Sequence, residues 1–125
     1  MRILLDTHLL YWWFYDTKKL SRKAEALIRG AEDVYVSAAS LWEIAIKVRI
    51  GKIEARPQDV MNWTEKNDFV ELPVTFRHAA LVADLPLHHG DPFDRLLVAQ
   101  AISEPLHLLT VDEQLKRYTE LVVVV

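Results

Sequence analysis

The 125-residue chain contains no cysteine, three glycines and five prolines. Without a thiol there is no disulfide, no thiolate nucleophile and no thiolate metal site, which suits a reducing compartment. With only Gly30, Gly51 and Gly90 there is no glycine-rich phosphate loop, so a P-loop or a Rossmann fingerprint is excluded at motif level. No stretch approaches the ~20 apolar residues of a membrane span, and no charged-then-apolar leader ending in small residues opens the chain. Neither a membrane segment nor a signal peptide is expected, and a cytoplasmic protein is. Repeats and low-complexity segments are also missing.

What is present points to a packed interior. Hydrophobic residues make up 51% of the chain, with four each of Trp, Tyr and Phe, too much apolar content for disorder. The length fits one domain spanning 1–125. Positive charge is scarce in the second half: residues 1–60 carry 10 Lys/Arg against 8 Asp/Glu, and residues 61–125 carry 5 against 10. That balance provides no basic surface for tight nonspecific nucleic-acid binding, but is compatible with a nuclease that engages phosphates through metal ions.

The periodicity predicts alternating strands and helices. "RILL" (2–5), "VYV" (34–36), "FVEL" (69–72), "LHLLT" (106–110) and "LVVVV" (121–125) read as strands. Helices are expected after Asp6, over 21–30 with Ser21 as N-cap and Gly30 just past the end, and from Ser37 to about Ile50, closed by Gly51. Leu41, Ile44, Ala45 and Val48 form the buried stripe of that last helix. Further helices follow from Pro57 to about Lys66, over 75–85 with Pro86 as the stop, over 92–103, and briefly from Asp112. Strands alternating with helices imply a three-layer α/β/α sandwich around a mainly parallel sheet.

In such a sheet, ligands bind beyond the carboxyl ends of the strands. Asp6 follows the first strand, Asp112 follows "LHLLT", Glu43 sits about two turns into the helix after "VYV", and Asp94 lies in the first turn of the helix that feeds "LHLLT". Each acid also has a plain structural reading. Asp6, Asp91 and Asp112 suit N-caps, Thr110 with Glu113 or Ser40 with Glu43 suits a capping box, and Glu43 with Lys47 suits an i,i+4 pair. Taken together the acids argue for a cation, since converging carboxylates repel unless one neutralises them. An all-oxygen set suits Mg²⁺ or Mn²⁺, which would activate water for phosphodiester hydrolysis. In "HHGDPFDRLLVAQA" (88–101), Asp91 before Pro92 is the better cap and Asp94 the better ligand, with Asp91 in a supporting place behind it.

Four motifs in order, "ILLDTHLLYW", "VSAASLWEIAIKVRIGKI", "DPFDRLLVAQA" and "LLTVDEQL", resemble those of PIN-domain ribonucleases, specifically VapC-type toxins of toxin-antitoxin pairs. The resemblance spans residues 3 to 115. It implies a PIN-like three-layer fold and Mg²⁺- or Mn²⁺-dependent cleavage of RNA. It places the acidic site at Asp6, Glu43, Asp94 and Asp112, with Thr7 and Thr110 where the family has a hydroxyl near the first or last aspartate. It also implies a homodimer and a small antitoxin bound along a hydrophobic groove near the first helices, placing a basic side chain among the carboxylates. RNA-facing cations are expected at Lys47, Arg49 and Arg95, whose plain reading is a solvated helix face with ion pairs.

Other features need less. His88 and His89 suggest zinc, but adjacent histidines usually point apart and no second His motif is near, so a loop role is expected; His8 and His78 read as local packing or hydrogen-bonding residues. "YWWFY" (11–15) is apolar around its whole circumference, more than one core face can bury. A protein interface is favoured over a helix sandwiched inside the domain and over stacking of RNA bases. The competing functional reading is a non-catalytic module whose acidic pocket docks a basic partner. A phosphatase is disfavoured because His8 stands where an Asp-x-Asp pair would need its second aspartate.

Overall fold

"RILL" becomes β1 (Arg2–Leu5), the middle strand of the sheet, in the computed structural model, which describes residues 1–125. Its side chains alternate between two interiors, Ile3 and Leu5 in one and Leu4 in the other, as a parallel strand covered on both faces requires. β2 (Asp33–Ser37), β3 (Val70–Leu72), β4 (His107–Thr110) and β5 (Val122–Val124) complete the order β3-β2-β1-β4-β5. All four pairings are parallel, with Leu4 opposite both Tyr35 and Leu108.

One face is covered by α1 (Thr7–Tyr15), α2 (Arg22–Gly30), α3 (Ala38–Arg49) and α4 (Pro57–Lys66), which bring Leu9, Ile28, Ile44 and Val60 onto Ile3, Val36 and Leu109. The other face is covered by α6 (Pro92–Ser103) and a 3-10 turn at Glu113–Arg117, which bring Leu97, Ala101 and Leu115 onto Leu4, Leu108 and Val122. α5 (Phe76–Leu81) packs along α6. The result is the three-layer α/β/α arrangement expected from the alternation of elements. No helix is long and apolar enough to cross a membrane.

Local chemistry accounts for most boundaries. Ser21 and Ser37 cap α2 and α3 through their hydroxyls, and Gly51, at φ 76°, takes the left-handed turn that ends α3. Strand ends differ from expectation by a residue, and two helix boundaries differ as well. Gly30 is the last residue of α2 rather than lying beyond it, and the helix expected over 75–85 stops at Leu81, followed by a 3-10 turn at Val82–Asp84. Buried His78 has the local role expected of it: its Nδ1 accepts from the Thr75 backbone N–H, and its Nε2 lies 2.6 Å from Glu104 Oε2.

The aromatic run is covered largely from within. Trp13 and Phe14 pack on Phe69, Phe14 and Tyr15 pack on Trp63, the Tyr11 hydroxyl donates to the Glu54 carbonyl, and the Tyr15 hydroxyl accepts from Arg56 N–H. The segment around α4 thus supplies the second face that the composition of α1 demands, and an external partner is not needed to bury most of it.

Sheet order fixes where a ligand belongs. β2 and β3 grow outward on one side of β1, and β4 and β5 on the other. The crevice at the carboxyl ends of β1 and β4 is therefore the topological switch point. Leu4→Ala, which removes a side chain with 0% exposure beside this crevice, is expected to lower stability by about 2–5 kcal/mol in urea unfolding. Phe76→Ala, at a residue 96% exposed, is expected to change it by less than about 0.5 kcal/mol. Equal effects would contradict this assignment of the interior.

Candidate functional site

Asp6 stands at the switch point. Its backbone N–H still pairs with the Leu109 carbonyl at 3.0 Å, one residue past β1, before the chain turns into α1. Its side chain is 2% exposed. Oδ1 caps α1 by accepting from Leu9 N–H at 2.8 Å, and Oδ2 accepts from the Thr110 hydroxyl at 2.6 Å. Burial pushes the Asp6 carboxyl up, opposed by those two donors, while the charge of Glu43 adds to the rise. The Thr7 hydroxyl is not bonded to this pair; its Oγ1 donates to Ser40 Oγ at 3.0 Å.

Glu43 is 6% exposed, on the α3 face turned toward α1 and α6. Because α3 begins at Ala38, Ser40 lies inside the helix and the capping-box reading of Ser40 with Glu43 does not apply. The i,i+4 reading does: Lys47 Nζ lies 2.9 Å from Glu43 Oε2. The other oxygen, Oε1, is buried without a hydrogen-bond partner. An orphaned carboxylate oxygen away from water is costly unless a cation or donor reaches it.

Asp91 caps α6, its Oδ1 accepting from Phe93 and Asp94 N–H at 2.8 and 3.1 Å. Asp94, one turn in, has only an ion-pair contact with His89 Nε2 at 3.8 Å, beyond hydrogen-bond length. Its carboxyl is pushed up to about 7, first by burial, then by the charges of Asp91 and Asp6. Glu43 adds to the rise and His89 opposes it. Asp112 caps the 3-10 turn after β4 through Oδ1, which accepts from Gln114 N–H at 2.9 Å, while Oδ2 lies 2.7 Å from His89 Nε2. One donor atom each from His89, Asp94 and Asp112 falls within a sphere where all separations are at most 4.8 Å.

Asp94 is therefore the shared member of two groups: Asp6 and Glu43 act on it electrostatically, and Asp112 and His89 flank it. The donor set is carboxylate-rich and thiol-free, Glu43 Oε1 has no partner, and Asp94 is held against ionisation first by burial and then by neighbouring carboxylates. These residues fit a hard divalent cation, which would supply the positive charge they lack.

The expected RNA-facing cations fare differently. Arg49 is exposed near the end of α3, and Lys47 is engaged with Glu43. Arg95 is engaged within the chain: its guanidinium donates to the carbonyls of Val82, Leu85 and Pro86 and to the Tyr118 hydroxyl, tying α6 to the 82–86 stretch. His89, expected only to serve the loop, has a larger part. It and His88 do point apart, His88 toward the Tyr118 ring, but His89 turns into the acidic cluster. A histidine two residues ahead of a capping aspartate is the available signal, since Asp91 N–H donates to His89 Nδ1 at 3.0 Å; nothing local announces its pairing with Asp112, 23 residues away.

The sequence model of the PIN domain matches residues 3–121. Over 120 residues, 93% of this chain and 91% of its relative, the sequence is 33% identical to Ribonuclease VapC22 of Mycobacterium tuberculosis. The fold resembles a chain of VapBC2 from Rickettsia felis, solved with a fragment of promoter DNA, at TM-score 0.72 and 17% identity, covering 98% of this chain and 96% of that one. It also resembles a chain of a toxin-antitoxin complex from Klebsiella pneumoniae at TM-score 0.66 and 18% identity, covering 97% and 95%. A family match over nearly the whole length, on a parallel sheet whose switch point gathers buried acids, places this chain in the PIN-domain family.

Proposed function

We propose that the protein is a Mg²⁺- or Mn²⁺-dependent endoribonuclease acting as the toxin of a toxin-antitoxin pair in the cytoplasm. The observation that carries this reading is the group of His89, Asp94 and Asp112, whose donor atoms lie within 4.8 Å of one another, with the partnerless buried oxygen of Glu43 on a side chain whose charge acts on Asp94. Likeness over 93% of the chain to Ribonuclease VapC22 supports the choice of RNA as substrate.

Asp6, Glu43, Asp94 and Asp112 would hold the ion, which when bound supplies Lewis-acid activation of water and stabilises the leaving oxygen. The chain's own residues do the positioning. Thr110 and Leu9 N–H hold the Asp6 carboxylate by both oxygens, and Lys47 neutralises one oxygen of Glu43. Asp91 keeps α6 in register so that Asp94 faces the cluster. Neither hydroxyl nearest the acids is set up as a nucleophile, because Thr110 donates to Asp6 and Thr7 to Ser40. Arg49, exposed near the end of the Glu43 helix, is the cation proposed for phosphate contact.

The antitoxin is proposed to occupy an open cleft of about 600 Å³ lined by Trp13, Phe14, Leu20 and Trp63, with Lys18 and Arg29 among its walls. This is the apolar ground near the first helices that the family resemblance implies. A homodimer is proposed on the same resemblance.

Two results are expected. Asp6→Asn and Asp94→Asn each lower divalent-ion-dependent cleavage of RNA by about 100-fold or more, the scale of a lost catalytic group, whereas Asp91→Asn, which keeps the cap, retains it. Retained cleavage in both of the first two variants would sink the proposal, and no hydrolysis with any hard divalent ion would favour an acidic docking module.

The second concerns pH. Asp94 titrates at about 7 folded against 3.8 in its unperturbed form, so the folded state holds that proton more tightly. Its contribution to stability is complete below about pH 4 and is lost as pH rises toward 7. Relative to Asp94→Asn, the metal-free wild type is expected to lose thermal stability between about pH 5 and about pH 8. At the higher pH, Mn²⁺ is expected to restore it in the wild type only. Parallel melting curves for the two proteins, with and without the ion, would contradict the assignment.

A further inference from the structure

His89 is the residue of the acidic cluster for which no role has been given. Its Nδ1 receives the Asp91 backbone N–H at 3.0 Å. A peptide N–H can only donate, so Nδ1 must present its lone pair, and the ring proton must then sit on Nε2. Nε2 is 2.7 Å from Asp112 Oδ2 and 3.8 Å from Asp94 Oδ2. The proton is therefore directed at Asp112, and the nitrogen that would face an ion has no free lone pair.

We propose that His89 is a positioning residue of the site. As an Nε2–H donor it fixes the Asp112 carboxylate beside Asp94, and it is not itself a metal ligand. The inference rests on the cation-binding reading given above.

The surroundings are built to hold this orientation. The Tyr118 hydroxyl oxygen accepts from His88 N–H at 3.1 Å, His89 N–H at 2.9 Å and Arg95 at 3.0 Å. Arg95 also donates to the Pro86, Val82 and Leu85 carbonyls. Arg95 and Tyr118 thus clamp the backbone that carries His89, and Asp91 N–H sets the ring. Asp112 is then held at both oxygens, Oδ1 by Gln114 N–H and Oδ2 by His89. A carboxylate so fixed cannot swing away from the repulsion of Asp94, which keeps the pair poised for a shared cation. Groups that orient ligands in this way matter nearly as much as the ligands.

The test has two arms. In the first, ¹⁵N-histidine-labelled wild-type protein is followed by NMR without metal and with saturating Mg²⁺, the His89 signals being identified by their loss in His89→Gln. An Nε2–H tautomer in both conditions is expected. An Nδ1–H tautomer, or loss of the Nε2 proton when Mg²⁺ is added, would make the ring a ligand and overturn the inference. In the second, Mn²⁺ binding is titrated calorimetrically for wild type, His89→Gln, His89→Ala and Asp94→Asn. His89→Ala is expected to bind about 10- to 100-fold more weakly than wild type, and His89→Gln, whose amide can still donate to Asp112, to stay within about threefold of wild type on the same scale. Wild-type affinity in His89→Ala, or equal loss in both histidine variants, would overturn the inference while leaving the acidic site standing if Asp94→Asn still abolishes binding. Wild-type protein that takes up neither ion would instead sink the acidic-site reading, and this inference with it.

Discussion

Repulsion among carboxylates gathered at one end of a buried sheet is the constraint around which the rest of the structure is arranged. Asp6 and Glu43 are nearly removed from water, and both charges act on Asp94. Each acid except Asp94 has found partial relief: Asp6 in Leu9 N–H and the Thr110 hydroxyl, Glu43 in Lys47, Asp112 in Gln114 N–H and His89. Asp94 has the least, and its raised pKa records the deficit. A site that leaves one carboxyl uncompensated and one carboxylate oxygen orphaned sacrifices stability of the isolated chain. Such local violations cluster where a ligand completes the structure.

The opposition between helix cap and ligand dissolves on inspection of individual oxygens. At Asp6 and Asp112, Oδ1 caps the turn that follows the strand, while Oδ2 meets a side chain, Thr110 in one case and His89 in the other. A carboxylate has two acceptor atoms, and the strand-to-helix turns at the carboxyl edge of a parallel sheet put caps where ligands bind. Capping therefore orients these acids instead of competing with their other role. Only on α6 are the tasks divided between two residues, Asp91 capping and Asp94 facing the cluster.

Charge on the helix bearing Asp94 shows why exposure must be known before a cation is given a substrate. Arg95 adjoins Asp94 in sequence, yet it turns back under the 82–89 segment, donating to three carbonyls there and to the Tyr118 hydroxyl. Its work is to hold a loop that has no regular hydrogen bonding of its own between Asp84 and Pro92. Together with Tyr118 it converts an otherwise free connection into a fixed mount for His89, so the rigidity of the site extends well beyond the acids themselves.

The linear chain determined the strands and most helix ends, and it singled out four acids as candidates. These follow from local rules: two-sided apolar runs such as "RILL" and "LHLLT" make buried parallel strands, hydroxyl and carboxylate residues make caps, and Gly51 makes the turn after α3. Alternation of the elements allows Asp6, Glu43, Asp94 and Asp112 to approach one edge of the sheet, but spacing alone does not bring them together. Three things were decided only in three dimensions: the strand order that makes β1 and β4 neighbours, the burial that raises Asp6 and Asp94, and the partners of His89, Arg95 and the aromatic run of α1. The reason is physical. Propensity and capping act over a few residues and are written locally, whereas desolvation and pairing depend on which distant segments pack together, as Asp112 lies 23 residues from His89 and Thr110 lies 104 from Asp6.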